Sequence, residues 1–500
     1  MRYLPDGAQM QAADKYTIEQ LGVPSLVLME RAALKVVEVI HEKGIDTSRT
    51  LVVCGSGNNG GDGFAVARLL AEEGMSAEVL FAGNEASLSR ECSLQKQIAE
   101  RMGIPVFTDV PEGEYTVIID AVFGVGLSRD VSGRYGEITR WMNSRDCRKV
   151  AVDIPSGVCA GTGRILGTAF RAELTVSMAC VKAGCELFPG KNCAGETVAV
   201  PIGINPDFFR ENPRVCFTYD QSDIPGLLPV RRADSHKGSY GKVLMITGSS
   251  GMAGACYLSA RAAYAAGAGL VQIYTSEDNR AVIQQLIPEA IVSCYSSYDR
   301  EQLTGLLKWA DVVCIGCGLG RSEDSEKILL HTLKEADIPC IADADGLNIL
   351  SGHMEVLRQR QAPVIVTPHM KEMSRLTGES VAEIAENRIQ AAGKFAEEYG
   401  AVCVLKDSRT VVAQDGHHTF LNLAGNNAMA KAGSGDVLAG VITGLAAQGM
   451  TAFDSAALGV FLHACGGDEA RGEKGAYSVL AQDLIAGIEK VLLKQDRGEE

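Results

Sequence analysis

No run of roughly 18 apolar residues occurs anywhere in the 500-residue chain, so a membrane-spanning helix of the ordinary kind is excluded. Positive charge is scarce as well. The 47 Lys and Arg stand against 62 Asp and Glu, a formal net charge of -15, which excludes nucleic acid or an anionic membrane as a dominant partner. Paired cysteine motifs are also missing. Of fifteen cysteines only Cys314 and Cys317 form a C-x-x-C, with no second pair to complete a zinc site. The odd count and the apolar surroundings point to reduced thiols rather than a disulfide framework. The opening stretch "MRYLPDGAQMQAADKY" has no apolar h-region, and a cytoplasmic location is the expectation. An anionic ligand therefore has to be held by local devices.

Those devices are glycine loops. The chain is 46% hydrophobic and 22% charged, long enough for two cores. The runs "TLVVCGSG", "AEVLFAG", "TVIIDAVFG" and "KVAVDIPSG" read as strands separated by amphipathic helical segments, the pattern of a parallel sheet covered on both faces. The series thins out at "ETVAVPIGI", and "NPDFFRENPRV" brings Pro and charge without periodicity. A second series begins at "GKVLMITGSSGMAGA" and continues through "LVQIYT", "DVVCIGCGLG", "IPCIADADGLN", "PVIVTPH" and "AVCVLKDS". Two α/β domains, residues 1–212 and 225–495, follow from this reading.

In "LVVCGSGNNGGDGF", Gly55, Gly57 and Gly60 fit the dinucleotide fingerprint G-x-G-x-x-G. A dehydrogenase would also need an acidic residue about 20 residues on, at the end of the next strand. That strand, "AEVLFAG", reaches an acid only at Glu85, after Gly83 and Asn84. Asn58, Asn59 and Asp62 are unusual residues for a loop that only turns. Asp120, Asp153 and Ser156 also follow strands whose carboxyl ends should converge on one crevice. An amide oxygen, a carboxylate and a hydroxyl together suit a hard monovalent or divalent cation, and glycine amides at a helix start suit phosphate. In "NNAMAKAGSGDVLAGVITGL", Gly433, Ser434, Gly435 and Asp436 stand just ahead of a small-residue helix. The amides there suit an anion; Asp436 is either a helix cap or the base that deprotonates an attacking hydroxyl.

The first series, with "GVPSLVLMERAA", "IIDAVFGVGL" and "VDIPSGV", resembles the NAD(P)H-hydrate epimerase family. The second, with "GCGLGR", "DADGLN", "VTPHMKEMSRL" and "LAGNNAMAKAGSGDVLAG", resembles the ADP-dependent NAD(P)H-hydrate dehydratases of the ribokinase-like superfamily. The resemblance implies an N-terminal Rossmann-like and a C-terminal ribokinase-like three-layer sandwich, both with mainly parallel sheets. It implies that Asn58, Asn59, Gly60, Gly61 and Asp62 cradle phosphates of a damaged dinucleotide, with a potassium ion on Asn59, Asp120 and Ser156. Gly124, Val125, Gly126, Leu127, Ser128, Arg129 and Asp130 would contact this ligand, and Asp153 would lie at the reacting ring. Lys182 is a further acid-base candidate or a structural residue. In the second domain Ala255, Gly318 and His369 would surround the hydrated nicotinamide. Lys406, Asp407, Ser408, Arg409, Thr410 and Gly435 would hold ADP with its magnesium ion, and Asp436 would meet the reacting hydroxyl. His369 could equally be a strand-end packing residue, whereas His417 and His418 in "AQDGHHTF" read as solvated.

The implied function is repair of NADH-hydrate and NADPH-hydrate: epimerisation of the R and S forms, then ADP-driven dehydration of the S form to NAD(P)H, AMP and phosphate. The alternative is a kinase of a small hydroxylated metabolite, of the hydroxymethylpyrimidine type, with an accessory nucleotide-binding domain; a stable phosphorylated product would mark it. A nucleotide-binding regulatory module is a third reading, disfavoured by the presence of Asp153 and Asp436. A homo-oligomer is expected, since "SARAAYAAGAG" permits close helix packing within or between subunits.

Overall fold

Each apolar run quoted above becomes a strand of a parallel sheet in the structure, a computed structural model that describes residues 1–497. The chain forms two compact units, Arg2–Phe217 and another from Thr218 onward. In the first, seven strands lie in the order Val106–Phe107, Ser76–Phe81, Arg49–Cys54, Val117–Ala121, Arg148–Val152, Leu174–Met178 and Glu196–Val200. All neighbouring pairs are parallel. Their Val-, Ile- and Leu-rich sequences suit burial on both faces. One apolar cluster includes Val52, Ile119 and Val150; the other includes Leu51, Val53, Ile118 and Ala151. The strand Arg49–Cys54 sends its next neighbour in sequence, Ser76–Phe81, to one side, while Val117–Ala121 pairs on its other side. The order thus reverses between Arg49–Cys54 and Val117–Ala121, and the loops that follow these two strands diverge to open a crevice.

The second unit repeats this arrangement with different residues. Its parallel strands run Ile291–Tyr295, Leu270–Ser276, Lys242–Ile246, Val312–Ile315, Cys340–Ala342, Val364–Val366 and Val402–Leu405. Val411–Ala413 and Thr419–Leu421 then add antiparallel. The reversal lies between Lys242–Ile246 and Val312–Ile315. His417 is exposed beside Phe453, with ring centroids 5.0 Å apart, while His418 is half-buried rather than solvated. All fifteen cysteines are free. No helix among the described residues is long and apolar enough to cross a membrane.

Small residues set the depth of one helix. The helix Ser434–Ala447 packs on Ala253–Ala265, so part of the "SARAAYAAGAG" stretch is used within the unit. A Cβ at Gly440 would stand 2.1 Å from the Ser259 carbonyl oxygen, and one at Gly444 2.5 Å from that of Ala263. Gly440→Ala is therefore expected to destabilise this unit by about 1–3 kcal/mol through overpacking. An unchanged thermal midpoint of the full-length variant would show that the seam can give way.

Candidate active sites

The crevice of the first unit is a cavity of about 670 Å³. Asn58, Asn59 and Asp62 enter it from the helix Asn58–Glu72, Gly124 through Arg129 from the next loop, and Asp153 and Lys182 from beyond. The helix starts at Gly57 without a side-chain cap, which leaves its first amides available to an anion. Gly60 and Gly61 do not line the cavity. A Cβ at Gly60 would stand 2.0 Å from the Gly55 carbonyl oxygen, and one at Gly61 2.5 Å from Met29 Cε, so both admit neighbouring protein atoms. Asp130 is exposed and outside the lining.

Asp153 follows the strand Arg148–Val152 with φ 71°, a conformation uncommon outside glycine. Its surroundings hold it there. The Asp153 amide donates to the Val176 carbonyl at 2.8 Å, Ser177 Oγ donates to the Asp153 carbonyl at 2.7 Å, and the Met178 amide donates to Oδ1 at 3.1 Å. Lys182, fully buried, donates its ammonium to Asp153 Oδ1 and to the Met178 carbonyl. Strain fixed by so many contacts is a mark of functional sites. Three more carboxylates, Asp62, Asp14 and Glu91, line the cavity. Burial, then Asp153 and Asp14, push Asp62 well above the usual carboxylate range, with Lys182 opposing. Asp14, from the helix Gly7–Glu19, is raised by burial and by Asp153.

Behind them Asp120 is fully buried. Its Oδ1 accepts from Ser156 Oγ at 2.7 Å and from the Val122 amide at 3.2 Å, and its Oδ2 from the Ser156 amide at 2.7 Å. Burial pushes its pKa up to about 6 against these bonds. Asn59, 9% exposed, has neither side-chain polar atom satisfied. It lies beside Gly124, whose neighbour Phe123 donates its amide to Ser156 Oγ at 2.9 Å. An orphaned buried amide oxygen, with a carboxylate and a hydroxyl at the ends of the adjoining strands, offers donor types that fit an alkali cation.

In the second unit five strand ends converge: Gly248 after the first, Gly318, Asp343, His369 and Lys406 after the others. The helix opposite begins at Ser434, so Asp436 lies within its first turn rather than ahead of it. Gly433 occupies the cap position at φ 90° and no side chain caps the turn, so Asp436 is not the cap. Burial, and after it the Asp343 carboxylate, push Asp436 up to about 6, against Cys317 and Lys406. Lys406 donates to Asp343 Oδ1 at 2.6 Å. Burial opposes its charge, but Asp343 and Glu372 outweigh that and raise its pKa.

The remaining expected residues surround this centre. Ala255 and Gly318 touch: a Cβ at Gly318 would stand 2.9 Å from that of Ala255. His369 caps the helix Met370–Thr377, its Nδ1 accepting from the Lys371 and Glu372 amides at 3.1 Å, while its ring stays half-exposed. Lys406–Thr410 is the turn between a parallel and an antiparallel strand. Within it Asp407 accepts from Arg388 Nη1 at 2.5 Å, Arg409 Nη1 donates to the Leu423 carbonyl at 3.0 Å, and Thr410 Oγ1 donates to the Asp407 carbonyl at 3.1 Å. Ser408 is exposed.

Three residues of this site escape sequence reading. Asp343 carries the same signal as Asp120, an acid closing an apolar strand. Cys317 looks like core, and His463 lies inside the apolar run "AALGVFLHACGG". His463 Nε2 meets Ser434 Oγ at 3.3 Å, and burial lowers its pKa to about 4, so the ring is neutral at physiological pH. Cys317, Asp343 and Asp436 can bring one ligand atom each within 4.8 Å of one another. A thiol in that set, with the Lys406 ammonium already on Asp343, does not suit a resident magnesium ion.

Family models match both units: "NAD(P)H-hydrate dehydratase" over residues 243–490 and "YjeF-related protein N-terminus" over 25–184. The bifunctional NAD(P)H-hydrate repair enzyme Nnr of Moorella thermoacetica is 35% identical, covering 98% of this chain and 96% of its own length. The Escherichia coli enzyme of the same name is 32% identical over 97% of this chain and 92% of its own. Among solved structures, the ADP/ATP-dependent NAD(P)H-hydrate dehydratase of Bacillus subtilis, co-crystallised with ATP/Mg2+, is 31% identical. It covers 57% of this chain and 99% of its own, with a TM-score of 0.51.

Proposed function

The chain belongs to the bifunctional NAD(P)H-hydrate repair enzymes, and from that membership we propose how its two sites divide the work. It is a metabolite-repair enzyme with an epimerase in residues 1–212 and an ADP-dependent dehydratase in residues 225–495. The observation that carries the residue assignment is that each crevice presents a carboxylate with a lysine ammonium at hand: buried Asp153 with Lys182, and half-buried Asp436 near Lys406.

In the dehydratase, Asp436 takes the proton of the hydroxyl on carbon 6, and the oxygen attacks the terminal phosphorus of ADP. The phosphorus–oxygen bond to AMP breaks, leaving a phosphate ester on carbon 6. The lone pair of the ring nitrogen expels phosphate, a proton leaves carbon 5, and the 5,6 double bond of NAD(P)H is restored. The amides of Gly433 to Gly435, at the start of a helix, stabilise the transferring phosphoryl group. A magnesium ion carried on the nucleotide neutralises its phosphate charge. Lys406 to Thr410 hold the nucleotide, and Ala255, Gly318 and His369 hold the nicotinamide ring.

In the epimerase, Asp153 takes the same hydroxyl proton from either epimer, and the bond from carbon 6 to the ring nitrogen opens to a carbonyl. The proton is delivered to the ring nitrogen. Rotation and closure on the other face return the proton and invert carbon 6. Asn58 and the first helical amides take the phosphates, with Gly124 to Arg129 along the ligand. Asn59, Asp120 and Ser156 would hold a potassium ion, which supplies fixed positive charge beside a polyanionic ligand.

The test is NADPH recovery from a mixture of both hydrate epimers with magnesium, potassium and ADP. Recovery of nearly all the hydrate, faster than spontaneous epimerisation allows, is expected; a stall at one epimer's share would remove the epimerase assignment. Asn59→Ala is expected to weaken the potassium dependence of epimerisation by about ten-fold in apparent affinity. The same potassium titration in the variant as in the wild type would show that Asn59 is no ligand. A homo-oligomer in the cytoplasm belongs to the same proposal: Leu26, Val27 and Leu34 expose apolar surface along one helix, and light scattering of the full chain reads the assembly directly.

A further inference from the structure

Asp343 ends the strand Cys340–Ala342 beside the point where the second sheet reverses, and it is 1% exposed. Residues from both sides surround its carboxylate. Oδ1 accepts from Thr367 Oγ1 at 2.7 Å and from Lys406 Nζ at 2.6 Å. Oδ2 stands 3.8 Å from Cys317 Sγ. The pair also abuts the phosphate-binding turn: a Cβ at Gly435 would stand 3.4 Å from Lys406 Nζ and 3.6 Å from Asp343 Oδ2. No side chain can intervene between the ion pair and that turn.

A lysine has four rotatable bonds and strong hydration, so an unanchored ammonium has no fixed place in a crevice. Here one carboxylate fixes it, and the Thr367 hydroxyl fixes the carboxylate. We propose that Asp343 is a positioning residue of the dehydratase, holding the Lys406 ammonium against the Gly433–Gly435 turn where the nucleotide's phosphate binds and facing Asp436 with a fixed negative charge. The inference rests on the reading of Asp436 as base. An ion pair kept only for stability could lie anywhere in the core; this one meets the anion-binding turn and the reacting carboxylate at once.

The charge has a direction of effect. Asp436 is faced by Asp343, Asp345, Cys317 and Lys406; Glu372 adjoins Lys406, and neutral His463 contacts Ser434. Of these the Asp343 carboxylate contributes most to raising Asp436, after burial. Neutralising it lowers the pKa of Asp436, and the released Lys406 ammonium can then turn to Asp436 and lower it further.

The experiment measures kcat and the KM for ADP against pH in full-length Asp343→Asn, whose side chain keeps the size and loses the charge. The KM for ADP is expected to rise about ten-fold or more, and the acid limb of kcat to move down by about one pH unit. Asp343→Glu, which keeps the charge, is expected to leave the acid limb in place while kcat falls. A folded Asp343→Asn with wild-type ADP KM and an unmoved acid limb overturns the proposal. Thr367→Val serves if that variant does not fold: a raised ADP KM supports the proposal and an unchanged one overturns it. A wild-type kcat with no acid limb would instead remove Asp436 as base, and the ADP KM of the variants would still decide the role of Asp343.

Discussion

Asp436→Asn is expected to lower kcat for ADP-dependent dehydration by about 10²–10⁴, the usual contribution of a positioned base, while ADP binding is retained. The amide keeps the shape of the carboxylate and the helix start, but it cannot accept the hydroxyl proton. In the wild type the carboxyl titrates at about 6, so kcat should fall as pH drops through that value and level off above it. The same shift predicts a change in stability. The folded protein binds this proton between about pH 4 and about 6, where the unfolded chain has lost it, so stability declines as pH rises through that window. At neutral pH the ionised group costs no more than about 3 kcal/mol, less what solvent contact screens. Asp436→Asn removes that cost, so the inactive variant should melt higher than the wild type. Wild-type turnover by the variant would remove Asp436 as base; a lower melting point would show that its charge is stabilised in a way the surrounding groups do not suggest.

Asp153→Asn should abolish epimerisation and destabilise its unit together. Lys182 is fully buried, and among the described residues the carboxylate paired with it is Asp153. Breaking such a pair by removing one partner costs about 3–5 kcal/mol, because the remaining charge is left buried. Asparagine accepts positive φ about as readily as aspartate, so backbone strain at this position adds little to the loss. The double variant Asp153→Asn, Lys182→Met should recover most of the stability and none of the activity. Denaturant unfolding and the rate of exchange between the two hydrate epimers measure the two effects separately. Epimerisation at the wild-type rate in the double variant would assign the chemistry elsewhere in the cavity, with Asp62, Asp14 and Glu91 the carboxylates left.

The strands, the two parallel sheets and the glycine loops were legible because apolar runs ending in Gly, Asp or Ser are local signals. Asp120, Asp153 and Asp436 follow from the same kind of signal. Pairings across the sheet were not. Lys182 meets Asp153 only because Leu174–Met178 lies beside Arg148–Val152, and Lys406 meets Asp343 across the end of the strand Val364–Val366 that lies between their own two strands. His463 and Cys317 were hidden by apolar neighbours, which make a side chain aimed at a crevice look like core. Gly60 and Gly61 show a different limit: a glycine that admits a ligand and one that admits a carbonyl oxygen or a methionine leave the same letter in the sequence.

The glycine seam beneath Ser434–Ala447 acts as a gauge. Asp436 precedes Gly440 by four residues, about 6 Å of helix at 1.5 Å per residue. Because Gly440 and Gly444 lock against carbonyl groups of the neighbouring helix, the rod cannot slide along its axis without a collision. The reach of the carboxylate into the crevice is thus metered by chain length from a notch one turn away. A substitution at that notch would throw the carboxylate out of alignment with its substrate while every residue of the crevice stayed the same.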